Sequence, residues 1–178
     1  MRQLGSPSQA YAGDRGEPDP AIRAALAAAS DGPSGYLRAV AALCGARLLL
    51  PIAPDPDGDL AAVQVRSADG GIGLLAFTGL DALAGWNPSA RPVPCTLDEI
   101  AATAVETRAS AVLIDLAGPS RLVIETDLIT ELAHGRRLVE LDDGGFGWLY
   151  RSPDVPAASH PATMGGSVNS GWPSEVES

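Results

Sequence analysis

The chain has 178 residues, 46% of them hydrophobic, and a formal net charge of −10 at pH 7. All 12 basic residues are Arg, against 22 Asp and Glu. That balance argues against sequence-independent nucleic-acid binding, which neutralises phosphates with Lys and Arg, and against docking on an anionic membrane surface. Cys44 and Cys95 are too few for a disulfide scaffold and fit no zinc spacing. The N-terminus has no apolar core of signal-peptide length and no apolar run approaches a membrane span. The expected compartment is the cytoplasm, with reduced thiols.

Residues 1–17 and 151–178 are rich in Gly, Ser, Pro and charge. They are expected to form a disordered arm and tail around one domain at 18–150. Asp19-Pro20 opens a first helix, with Asp at the N-cap and Pro at the first helical position. Asp31-Gly32-Pro33 ends it. Ser34 is expected to cap a second helix whose apolar face carries Leu37, Val40, Ala41 and Cys44, with Gly45 following its end. "ARLLLPI" reads as a strand, with Pro51 suited to a strand end or an edge. "PDPDGD" is a turn. Val63 and Val65 alternate inward with Gln64 and Arg66 outward, and Asp69-Gly70-Gly71 signals a hairpin into "IGLLAF".

Thr78 begins a Thr-x-x-Asp cap on a short helix ending at Trp86. "NPSARPVPC" is extended. Thr96 and Glu99 form a capping box on a helix whose stripe is Leu97, Ile100, Ala101, Ala104 and Val105. "SAVLIDL" and "RLVI" are strands around an Ala117–Ser120 turn, "TDLITELAHG" a helix closed by Gly135, and "RLVEL" with "FGWLYR" a last hairpin. The fold class expected is α/β (α+β-like): one domain, a helix pair followed by a mixed sheet with inserted helices.

Gly71-x-Gly73-x-x-Ala76 matches a dinucleotide fingerprint on paper. Such a loop follows a strand and opens a helix. Here the glycines precede the strand and belong to the hairpin turn, so a nucleotide site is not expected. An apolar strand ending in Phe77-Thr78, then Asp81, Leu83 and Trp86, resembles the signature of the SseB (enhanced serine sensitivity protein) N-terminal domain family. The resemblance spans roughly residues 19–141. It implies a small cytoplasmic α/β domain of bacteria with no established catalytic residues. With the Arg-, Ala- and Gly-rich, Lys-free composition it implies an actinobacterial source. Family members tend to carry Asn-Pro where this chain has Asp115-Leu116. The second, C-terminal domain usual in the larger arrangement is not expected here.

Candidate chemistry is sparse. Cys44 falls on the apolar stripe of a helix and reads as core. Cys95 precedes a helix N-terminus and is either a reactive thiol or a packed staple residue facing Ile100. Asp55, Asp57 and Asp59 alternate like the start of a calcium loop, but the sixth and twelfth positions are Leu60 and Arg66, so a solvated turn is expected. His134 sits in a last helical turn and His160 in the tail, and no Gly-x-Ser-x-Gly elbow is present. Asp115, a carboxylate ending an apolar strand, is either functional or a cap on its own turn. Phe146, Trp148 and Tyr150 share one strand face, either docked on the domain or exposed to a partner.

The leading expectation is a non-enzymatic protein-binding or regulatory module that meets another protein through Phe146, Trp148 and Tyr150 or a sheet edge. It involves no cofactor, metal, nucleic acid or membrane. The alternative is a small-molecule sensor or enzyme with a pocket near Asp115, Trp86 and Thr78.

Overall fold

The computed structural model describes residues 13–150. The remainder of the expected arm, the expected tail and His160 lie outside the described residues. No helix among the described residues is long and apolar enough to cross a membrane.

Helix α1 (Pro20–Ala27) is capped by Asp19, which accepts the Ala21 N–H. A 3₁₀ turn, Ala28–Ser30, leads to α2 (Pro33–Leu43). Ser34 does not cap α2. Gly32 takes the N-cap position at φ 108°, and Pro33 starts the helix two residues earlier than a Ser34 cap would. The buried face of α2 is Gly35, Ala39, Val40 and Leu43, rotated from the expected stripe, although Cys44 is buried as expected. A Cβ at position 35 would collide with the Ala28 carbonyl oxygen. This close approach sets which face of α2 turns inward.

Strands β1 (Leu48–Pro54), β2 (Leu60–Ala62), β3 (Gln64–Arg66) and β4 (Ile72–Ala76) follow. Next come α3 (Leu80–Trp86), β5 (Arg91–Cys95), and α4 (Leu97–Glu106) with its Thr96–Glu99 capping box. Then come β6 (Ala111–Ile114), β7 (Leu122–Glu125) and α5 (Thr126–Ala133), and finally the hairpin β8 (Arg137–Glu140) and β9 (Phe146–Leu149). The fold is a single α/β domain of helices on mixed sheets. β4 and β6 are parallel, while β3–β4, β6–β7, β1–β2, β1–β5 and β8–β9 are antiparallel.

One residue pair makes the two larger sheets continuous. Leu49 and Phe77 exchange both backbone hydrogen bonds, at 2.7 and 2.9 Å. The strand order across this pair is β5-β1-β4-β6-β7. Beyond it β1 and β4 splay apart, and residues 60–66 fill the gap. Val63 is the pivot: its N–H goes to the Pro51 carbonyl and its C=O accepts from Leu75. Pro51 therefore sits within a strand paired on both sides, not at an end or edge. The Val63 carbonyl is already taken by Leu75, so the missing Pro51 donor costs nothing.

Alternation sorts the core. Leu48, Leu50, Leu74, Ala76, Val112, Ile114 and Ile124 face the main cluster with α1, α2, α4 and α5. Leu49, Leu75 and Phe77 face a second cluster closed by Ala82 and Leu83 of α3, with Val63, Val65 and Trp86 at its rim. Val105, expected on the α4 stripe, is exposed.

The outer edges are guarded in different ways. The Leu49 N–H and C=O point to Phe77, so Leu48, Leu50 and Ile52 are the β1 residues that bond β5. Pro92 and Pro94 therefore turn their nitrogens outward and leave that edge without donors there. On β7 the outward Val123 carbonyl accepts from the Tyr36 hydroxyl at 2.9 Å. The edge along 60–66 is broken at Val63 into two three-residue strands. Replacing Pro92 and Pro94 together by Val restores two outward donors. The variant is expected to fold and to show an average mass by light scattering that rises more steeply with concentration than that of the unaltered chain. Equal masses throughout would show that the prolines do not guard this edge.

Candidate functional site

The carboxyl ends of the parallel strands β4 and β6 lie side by side, the position where α/β sheets gather functional groups. Just beyond them stand Thr78 and Asp115. Asp115 takes φ 49°, a left-handed conformation that Asp and Asn tolerate better than other side chains. Its carbonyl accepts the Gly118 N–H at 2.7 Å, closing the turn. The carboxylate is wholly buried. Oδ1 accepts the Thr78 N–H at 2.8 Å and Oδ2 accepts the Thr78 hydroxyl at 2.6 Å.

Arg23 of α1 completes the cluster. Its Nε donates to Thr78 Oγ1 at 2.6 Å and stands 3.4 Å from Asp115 Oδ2, while Nη2 reaches Asp81 at 2.7 Å. Thr78 thus does not cap α3, whose N-cap residue is Gly79. The Thr78 hydroxyl oxygen, which a cap would use to accept a helix N–H, accepts from Arg23 Nε instead, while its proton goes to the buried carboxylate. Burial pushes the Asp115 carboxyl above its ordinary value, against the opposing pull of the two Thr78 hydrogen bonds and the Arg23 charge. Chemically the cluster is a clamp that ties α1 to the ends of β4 and β6.

Arg47, just before β1, makes a second clamp. Its guanidinium pairs with Asp14 at 2.6 Å and donates to the carbonyls of Glu17 at 2.6 Å and Thr78 at 3.2 Å. Gly16, buried at φ 73°, accepts the Leu80 N–H at 2.8 Å. Residues 13–17 therefore lie against the domain, which takes in chain from before the expected boundary at 18. A cavity of about 280 Å³ under this segment is lined by Asp14, Asp19, Ile22, Gly45, Ala46, Arg47 and Thr78.

The structure brings Thr78 and Asp115 together but not Trp86 with them. Trp86 is half-buried at the end of α3, its ring 5.7 Å from that of Phe77, in the second cluster. Sequence reasoning missed Arg23, Arg47 and Asp14. The available signal was a lone Arg beside Ile22 in an Ala-rich helix, and another immediately before an apolar strand. Residues 22–131, more than half of the chain, match the model of the SseB protein N-terminal domain. The chain belongs to the SseB N-terminal domain family. No curated protein and no solved structure matches it.

The SseB match takes in Arg23, Thr78, Asp81 and Asp115, and ends before the hairpin. In that hairpin the aromatic set divides. Phe146 and Trp148 are half-buried against the main core, opposite Glu140 and Leu138. Leu149 and Tyr150 are 60% and 68% exposed. Trp148 also lines an open groove of about 540 Å³ beside α5, with Asp127, Leu128, Thr130 and Glu131.

The other candidates have local roles. Asp55 Oδ1 accepts from the N–H groups of Asp57 and Asp59, an Asx turn. His134 Nδ1 donates to the Thr130 carbonyl at 2.7 Å. Both cysteines are buried. Burial, then Glu99, pushes the Cys95 thiol up to about 11, and burial raises Cys44.

Asp115→Ala strands the Thr78 donors and the Arg23 charge, and should cost about 2–4 kcal/mol. Asp115→Asn keeps an acceptor and should cost less. Burial raises the carboxyl, so folding binds a proton at Asp115 between its ordinary 3.8 and the raised value. Stability from this group falls as pH rises through that interval and is level above it. Urea unfolding across that interval should show a flatter pH dependence for Asp115→Asn than for the unaltered chain. An identical slope would place the proton elsewhere. For the thiols, a group titrating near 11 is about one part in ten thousand thiolate at pH 7. Thiol-directed labelling of the folded chain should therefore leave Cys95 and Cys44 unmodified until denaturant is added. Rapid labelling of native Cys95 would restore the reactive-thiol reading.

Proposed function

We propose that this SseB-family domain is a non-enzymatic protein-binding module of the bacterial cytoplasm that meets its partner through the β8–β9 hairpin. The observation that carries the proposal is the division of the hairpin's aromatic set. Phe146 and Trp148 anchor β9 to the core, so Leu149 and Tyr150 are held out to solvent on a fixed support. The Trp148 ring at the same time borders the α5 groove. An exposed aromatic such as Tyr150, held on a fixed support beside an exposed leucine, is a typical interface anchor. The non-enzymatic reading draws support from Asp115, whose two oxygens are both taken by donors, and from thiols buried well away from their reactive form.

The alternative, a small-molecule sensor, keeps one supporting observation: Thr78 lines the cavity beneath Arg47. A ligand there would compete with Asp14 for the guanidinium.

The test compares the intact chain with Leu149→Ser/Tyr150→Ser as baits in quantitative capture from the native cytoplasm. Both residues are exposed, so the variant should melt with the unaltered chain. A protein retained by the intact chain and lost on the variant is the expected result. Equal recovery of every protein on the two baits would remove the hairpin from any binding role.

A further inference from the structure

The hairpin edge differs from the other edges of the fold. The Leu141 N–H donates to the Gly145 carbonyl at 2.8 Å. Antiparallel alternation then makes Val139–Gly147 and Arg137–Leu149 the other hydrogen-bonded pairs. Phe146 and Trp148, opposite Glu140 and Leu138, direct their N–H and C=O groups away from β8. The strand itself reads Phe-Gly-Trp-Leu, without a proline or a charge. β5 turns proline nitrogens outward, β7 has its Val123 carbonyl occupied by Tyr36, and the edge along 60–66 is broken at Val63. Among the described residues nothing comparable protects β9. Folds suppress open strand edges because they recruit other strands.

The side chains around this edge select the occupant. Asp127 and Glu131 line the groove beside Trp148. Asp142 and Asp143 form the hairpin turn at the start of β9. Glu131 is paired with Arg136, whereas Asp127, Asp142 and Asp143 have no basic partner among the described residues. Arg137, opposite Leu149, is the one basic side chain on β8 or β9. On the other face of the strand, Leu141 and Leu149 are 46% and 60% exposed. A second copy of this chain would bring a net charge of −10 against −10.

We infer that the β9 edge accepts an extended segment of another protein as an added strand, one that alternates Lys or Arg with apolar residues. This rests on the protein-binding reading above and specifies its mode. The backbone of the added strand would bond the outward groups of Phe146 and Trp148. Its basic side chains would lie toward the Trp148 ring and Asp127, where cation–π attraction and opposite charge act together. Its apolar side chains would lie against Leu149 and Leu141.

The experiment pans a displayed library of random peptides on the full chain. The best binder is then made synthetically and followed by amide hydrogen exchange. The expected peptide shows basic–apolar alternation, slows exchange at the Phe146 and Trp148 amides, and weakens as salt is raised. Methylating its alternate backbone nitrogens should reduce affinity about tenfold or more, since those bonds carry much of the binding. A peptide lost on Leu149→Ser/Tyr150→Ser that leaves both amides unprotected overturns strand addition while the protein-binding reading stands. Peptides indifferent to that variant overturn both. Exchange at the two amides that slows with chain concentration would assign the edge to a second copy and overturn the partner named here. Faster exchange on removing residues 152–178 would assign it to the chain's own tail, with the same consequence.

Discussion

The described domain hangs on one buried ion cluster. Asp115 has no exposure to water and is held by two hydrogen bonds from a single threonine, with Arg23 at the far side of the hydroxyl. A carboxylate moved out of water is costly unless its lone pairs are met. That requirement dictates geometry. The β4 strand must end where Thr78 can present both N–H and O–H, β6 must turn left-handed at Asp115, and α1 must cross close enough to deliver Arg23. Three separate stretches of chain are placed by one anion.

The same constraint selects the residue at position 115. The position calls for a short side chain that tolerates φ 49° and offers an acceptor to Thr78. Asp and Asn both meet those conditions. Only Asp adds a charge, and here Arg23 lies close enough to respond to it.

Much of the fold was legible because its signals are local. Asp19-Pro20, the Thr96–Glu99 box, the Asp69–Gly71 turn and the alternating strands each act within a few residues of themselves. Sequence and structure part where a distant group claims a residue. Thr78 has the form of a cap, but its hydroxyl is turned to Asp115 and its oxygen accepts from Arg23 instead of from the helix. Pro51 has the form of an edge residue, but the Val63–Leu75 bond makes its missing donor harmless. The α2 face departs from the apolar stripe because Gly35 approaches another backbone, which apolar periodicity does not record. The site was legible only as Thr78 and Asp115. Arg23 and Arg47 belong to it through tertiary contact, and an isolated arginine carries no such mark in sequence.

The junction at Leu49–Phe77 has a mechanical consequence. β1 and β4 form a V hinged at that pair, and residues 60–66 tie its open arms together through Val63. A tied V cannot flex at its apex without breaking a ladder on each arm. Thr78, one residue beyond the hinge, is thereby fixed in space, and the sheet is a strut rather than a spring. What is fastened on from outside that strut is the segment held by Arg47 and the hairpin pinned by Leu138, Phe146 and Trp148.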